Sequence, residues 1–283
     1  MATRLCPLLV DGALCLCSAF LAGRGLLALH DPLTAIRPLP PLAGPARGDR
    51  WGGLEPLAPP PELVALVAEE MGNVLGGAAS AGGVRVVLVD GAHARSCGSS
   101  RASSGAVLGV PLPFLEPWGY DIREIWEAEW EGERGRELRA CLSPSRDAVR
   151  WAVAHELAHV KGEDFAARAM LPSLCLLAYH AMAKLAWRAG RMRGGLAARA
   201  CVLALGPSAS FAVSVALNRS QEYRADAVAS AVSDEHRRGG AERLEQAIRL
   251  EGLLGGAAAS WITHPPLSDR LAAQPVLLEQ PDL

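Results

Sequence analysis

The sequence predicts a mainly α fold with a small β-sheet, an α+β architecture, and three observations predict it. Apolar residues recur at helical spacing from Leu63 onward, a β-branched run stands at Val84–Val89, and a second strand candidate follows at 106–115. With 283 residues and 29.7 kDa the chain is long enough to bury a substantial core in one large domain or two small ones.

Each element can be justified in chain order. Residues 5–23 are apolar except for Asp11 and are bounded by Arg4 and Arg24, just long enough to span a bilayer. This predicts an uncleaved N-terminal membrane anchor at 1–30, with a buried amphipathic helix as the alternative. Nine of the twenty prolines fall at 31–61, a composition that cannot hold a regular ladder and predicts a stiff linker with a domain boundary near Pro61. Beyond it Leu63, Val64, Leu66, Val67 and Met71 share a helical period, and the run Val84–Val89 ends at the turn dipeptide Asp90-Gly91. At 121–130, Ile122, Ile125, Trp126 and Trp130 lie on one helical face with Glu124, Glu127 and Glu129 elsewhere, an amphipathic helix. Two longer apolar stretches follow at 169–187 and 200–217, joined by a connection carrying Arg188, Arg191, Arg193 and Arg199 without an acid. They predict a membrane hairpin inside a domain spanning 62–283, the alternative being two core helices of a soluble lobe.

Composition narrows the function. Half the residues are apolar and a fifth charged, which places part of the chain in lipid. The formal charge of −2 leaves no basic field for a phosphate backbone, so nucleic acid is not an expected partner. Seven cysteines without a C-x-x-C pair indicate neither a disulfide framework nor a thiolate zinc site.

The chemistry concentrates in Trp151-Ala-Val-Ala-His155-Glu156-Leu157-Ala158-His159, an H-E-x-x-H motif. With seven histidines in 283 residues, chance supplies such a motif about 0.01 times. The segment reads as a helix, with Ser143-Pro144 as cap and first residue and Asp147 in the first turn. Residues four apart on a helix are offset by about 40° and rise about 6 Å, so His155 and His159 present imidazoles to one ion. Glu156 stands beside that ion as a base for an attacking water. A third ligand is expected downstream, where Glu222 and Asp226 share a helical face. That face lets Glu222 bind metal and Asp226 accept the second ring N–H of a ligating histidine; the alternative reading of these residues alone is a solvated helix turn rich in acids.

H-E-x-x-H, an apolar hairpin, Asn218-Arg-Ser-Gln-Glu222-Tyr-Arg-Ala-Asp226, then Thr263-His264-Pro265-Pro266 and Asp269-Arg270, in that order, resemble the gluzincin membrane peptidases. These include the CAAX prenyl proteases, the bacterial HtpX heat-shock proteases and the mitochondrial inner-membrane stress protease. The resemblance covers about residues 62 to 275. It implies a zincin-like peptidase domain with an inserted transmembrane hairpin, and one Zn2+ per chain on His155, His159 and Glu222. It further implies Glu156 as general base, Asp226 behind the ligands, and His264 and Arg270 as cleft-lining or oxyanion-stabilising residues. The strand candidate at 106–115 lies where the family offers an edge strand to its peptide substrate. The chain has too few apolar spans for the barrel of the prenyl proteases, so prenylated-peptide cleavage is not carried over. Ser104-Gly-Ala-Val-Leu-Gly-Val-Pro and the Ser-Arg-x-Ala run at 145–148 are also similar to a mitochondrial multi-span family linked to cytochrome c oxidase assembly.

The expectation is a membrane-embedded zinc metalloendopeptidase acting on membrane or misfolded proteins in quality control or stress response. Its partners are a polypeptide substrate and the lipid bilayer. The alternative is a non-catalytic membrane scaffold or assembly factor of the same fold. The basic hairpin connection favours the cytoplasmic or matrix side; the first choice is a mitochondrial inner membrane with the zinc site in the intermembrane space, the alternative another organelle or a bacterial membrane. His30, His93, His180 and His236 have no ligand spacing and read as solvated or locally satisfied residues.

Overall fold

A computed structural model describes residues 36, 58–76, 83–120, 132–188, 196–255 and 264–274. The expected anchor at 1–30, nearly all of the linker at 31–61 and the amphipathic segment at 121–130 lie outside these residues. The described elements are α1 (Pro61–Leu75), β1 (Val84–Val89), β2 (Arg95–Gly98), β3 (Ala106–Pro111), α2 (Gly132–Leu142), α3 (Arg146–Lys161), α4 (Asp164–Arg188), α5 (Leu196–Ser230), α6 (Asp234–Leu253) and α7 (Leu267–Ala273). A 3-10 segment, Leu112–Trp118, follows β3.

The mainly helical α+β architecture is present. Its sheet has the order β1-β3-β2, with β1 parallel and β2 antiparallel to β3. β3 is buried along its whole length, which explains its unbroken apolar sequence: both of its faces are covered. Leu88, Leu108 and Val110 join the main core, while Val87, Val89, Cys97 and Val107 pack with Ile36 on the other side.

α3 runs through the middle of the main core, touching α1, α5, α6 and the sheet. Val149, Val153 and Leu157 are fully buried, and each such side chain contributes roughly 1.5–3 kcal/mol. The helix begins two residues later than its sequence indicates. Ser145, not Ser143, is the cap, because its hydroxyl reaches the Ala148 N–H at 3.2 Å.

α4 and α5 pack against each other where the membrane hairpin was expected. Among the described residues no helix is long and apolar enough to cross a membrane; the two expected spans at 169–187 and 200–217 lie on this helix pair. Both helices overrun their apolar stretches. α4 starts in the core at Asp164, and α5 carries the segment from Asn218 to Asp226 as its own continuation. The side chains of 201–207, within the second expected span, lie outside the described residues.

Candidate metal centre and active-site cleft

α3 and α5 bring three electron-pair donors to one point. His155 and His159, 6% and 4% exposed, face each other with their Nε2 atoms 3.1 Å apart. Glu222 places Oε2 3.5 Å from His155 Nε2 and Oε1 3.6 Å from His159 Nε2. Zinc–ligand distances near 2.0–2.1 Å put tetrahedral donors about 3.3 Å apart, so the spacing fits such an ion. Among the described residues these three form the one cluster of this kind. The donor set therefore could hold a metal ion, and Glu156, next to His155 in sequence, is not part of it.

Each imidazole is held from behind by a carboxylate. His155 Nδ1 lies 2.9 Å from Asp226 Oδ1, close but poorly aligned, and His159 Nδ1 lies 2.7 Å from Asp164 Oδ2. Each carboxylate is clamped in turn. Arg270 donates from Nε and Nη2 to Asp226 at 2.8 and 2.6 Å and reaches Glu222 Oε2 from Nη1 at 3.0 Å, while Arg224 pairs with Asp164. Burial would raise the Glu222 carboxyl, but His155 and Arg270 outweigh it and hold it well below the usual carboxylate range. Burial likewise would lower His155, yet Asp226 and Glu222 hold it up at about 9 in the metal-free protein. Arg270 is thus engaged with both Glu222 and Asp226.

Asp164 and Arg224 went unnoticed in the sequence. A sharp turn delivers Asp164: Glu163 adopts a left-handed conformation (φ 56°) after the end of α3 and swings the start of α4 back onto His159. The one available signal was an acid five residues beyond the second histidine.

These groups open into a cleft of about 450 Å³. Glu156 lines it and accepts a hydrogen bond from the Ser96 hydroxyl at 2.7 Å. His264 stands at the mouth, its side chain 44% exposed and its Nε2 3.7 Å from Glu222 Oε1. The expected edge strand at 106–115 is not an edge: β3 is the buried centre of the sheet. The strand beside the cleft is β2, a short Arg-Ser-Cys-Gly segment without the β-branched signature of a strand. His93, read as solvated or locally satisfied, belongs to the cleft wall, and His236 is buried against Glu70, far from it in sequence.

A helical H-E-x-x-H pair completed by a glutamate from a second helix, with a carboxylate behind each histidine, defines a metallopeptidase-like domain of the gluzincin kind. Residues 136–274 match the model of Peptidase family M48, and the chain carries a domain of that family. Transmembrane protein 177 of Homo sapiens is 28% identical over 131 residues, 44% of this chain and 42% of that protein. Its Xenopus laevis counterpart is 26% identical over 177 residues, 58% of this chain and 57% of that protein. The chain therefore spans about half the length of these curated relatives. No solved structure matches.

Proposed function

We propose that the protein is a membrane-associated zinc metalloendopeptidase that hydrolyses peptide bonds of membrane or misfolded proteins. The observation that carries this reading is Glu156, intact beside a complete His155, His159 and Glu222 set and oriented by Ser96. A structural metal site has no use for that carboxylate. One Zn2+ on the three ligands supplies Lewis acidity toward the scissile carbonyl and the attacking water. Glu156 accepts the proton of that water and returns it to the leaving amine. His264, at the cleft mouth, is placed to donate to the carbonyl oxygen as it gains charge, and β2, the outer strand of the described sheet beside the cleft, can pair with an extended peptide.

Two observations support a membrane setting. Leu174, Leu177, Phe211 and Val213 are exposed on α4 and α5, and the relatives are named transmembrane proteins. The basic connection between the apolar stretches makes the mitochondrial inner membrane the first compartment to examine.

The second reading, a non-catalytic membrane scaffold or assembly factor of the same fold, draws its support from those relatives, whose name records no peptidase. Glu156→Gln separates the two. It is expected to retain zinc and fold while cleavage of an unfolded membrane protein falls by orders of magnitude. Equal cleavage by wild type and variant, or none by zinc-loaded wild type, would leave the scaffold.

A further inference from the structure

The cleft contains a cation that the proposed hydrolysis does not use. Arg243 of α6 is only 6% exposed and shares the cleft wall with Glu156, His264 and Arg270. Arg270, also buried, is neutralised by Asp226 and Glu222, and the half-buried Arg150 by Glu69 and Glu70. Among the described residues no carboxylate lies within ion-pair distance of Arg243. Its neighbour Glu242 is turned to Ser145, accepting from the backbone N–H at 2.7 Å and from the hydroxyl.

Among the described residues the contacts of Arg243 are neutral. Nη2 donates to the Ala92 carbonyl and to His93 Nδ1 at 3.0 Å, and the guanidinium carbon lies 5.4 Å from the centre of the Phe114 ring. His93 is exposed at its outer edge, but burial in the cleft wall and the cations Arg243 and Arg95 push its imidazole down to about 4. It therefore presents a lone pair inward at neutral pH. Burial pushes Arg243 down to about 10, which still leaves it charged. Taking a guanidinium out of water costs several kcal/mol, and two neutral acceptors with one ring do not return that cost. The fold holds a desolvated positive charge open to the cleft and fixes its direction.

We propose that Arg243 is the carboxylate receptor of this cleft, selecting peptides that present a carboxylate beside the scissile bond. The carboxylate is either a C-terminal one or an Asp or Glu side chain, since both offer the two oxygens that a guanidinium engages side by side. The inference rests on the cleft being a peptide site and names the substrate class it takes: acidic or free-C-terminal peptide segments.

The test uses the full chain in detergent, zinc-loaded, as wild type for cleavage and as Glu156→Gln for binding. Fluorescent decapeptides are compared in two arms, free C-terminus against C-terminal amide, and internal Glu against Gln at each position. One arm is expected to show at least about tenfold tighter binding of the carboxylate form. Introducing Arg243→Gln should bring that ratio toward one, and Arg243→Lys should keep part of it; the arm that responds identifies the source of the carboxylate. Equal binding of both members in both arms overturns the inference without any variant, and a ratio unchanged in folded Arg243→Gln or Arg243→Lys overturns it too. Discrimination in binding without cleavage by wild type would remove the peptidase reading and keep this one; cleavage without discrimination would do the reverse.

Discussion

At the scale of single residues the proposed metal site draws on carboxylates that ligand spacing does not reveal. Glu222 and Asp226 could be read because four-residue spacing on a helix aligns them. Asp164 could not, because its reach to His159 depends on the left-handed Glu163, a conformation costing on the order of 1 kcal/mol outside glycine. It also depends on Gly162. A β-carbon there would lie 2.0 Å from Arg224 Nη2, so the arginine crosses the glycine to hold Asp164. Asp164→Ala should weaken zinc binding about 10- to 100-fold in a chelator competition while the chain stays folded. Gly162→Ala should produce a smaller loss by displacing Arg224. Unchanged affinity in Asp164→Ala would show that Glu222 and Asp226 orient the site unaided.

At the scale of elements, helix crossings set where the ligands point. α6 lies so close to the start of α3 that a β-carbon at Gly239 would sit 2.2 Å from the Asp147 carbonyl oxygen, a backbone atom that cannot swing aside. Gly239→Ala should destabilise the protein by about 1–3 kcal/mol through overpacking, seen as a lower thermal midpoint. Gly239→Ser should be no better tolerated; a wild-type midpoint in either variant would mean that the crossing is looser than the structure has it. Elements with strong periods were readable from sequence, namely α1, β1, β3 and α3. β2 was not, because Arg-Ser-Cys-Gly acquires strand geometry only by pairing with β3, and α2 was not, because its charged face hides a short buried one. The continuity of α5 was also hidden, since the change from apolar to polar residues at Asn218 reads as a boundary although the backbone crosses it unbroken.

At the scale of the whole molecule one buried polar junction joins helices from opposite ends of the described chain. Glu70 of α1, fully buried, accepts from Arg150 of α3 at 2.7 Å and from Asn73 at 3.0 Å, and it lies 3.0 Å from His236 Nε2 at the start of α6. Sequence reading could not find it, because a lone Glu, Arg and His far apart along the chain carry no spacing signal. Burial raises the Glu70 carboxyl, but His236, Asn73 and Arg150 together outweigh that and leave it lowered. A carboxyl whose folded value lies below its unfolded one stabilises the fold above the unfolded value and loses that contribution as pH falls through the folded one. Stability should therefore decline on acidification below the ordinary glutamate range, about pH 4.3. Glu70→Gln should flatten that decline. At neutral pH it should cost about 1–3 kcal/mol, because charge-assisted hydrogen bonds to a buried carboxylate become neutral ones while Arg150 keeps Glu69 as a partner. Denaturant unfolding of both proteins across that acid range is the measurement; parallel pH profiles would show that the junction packs the helices together without contributing through its charge.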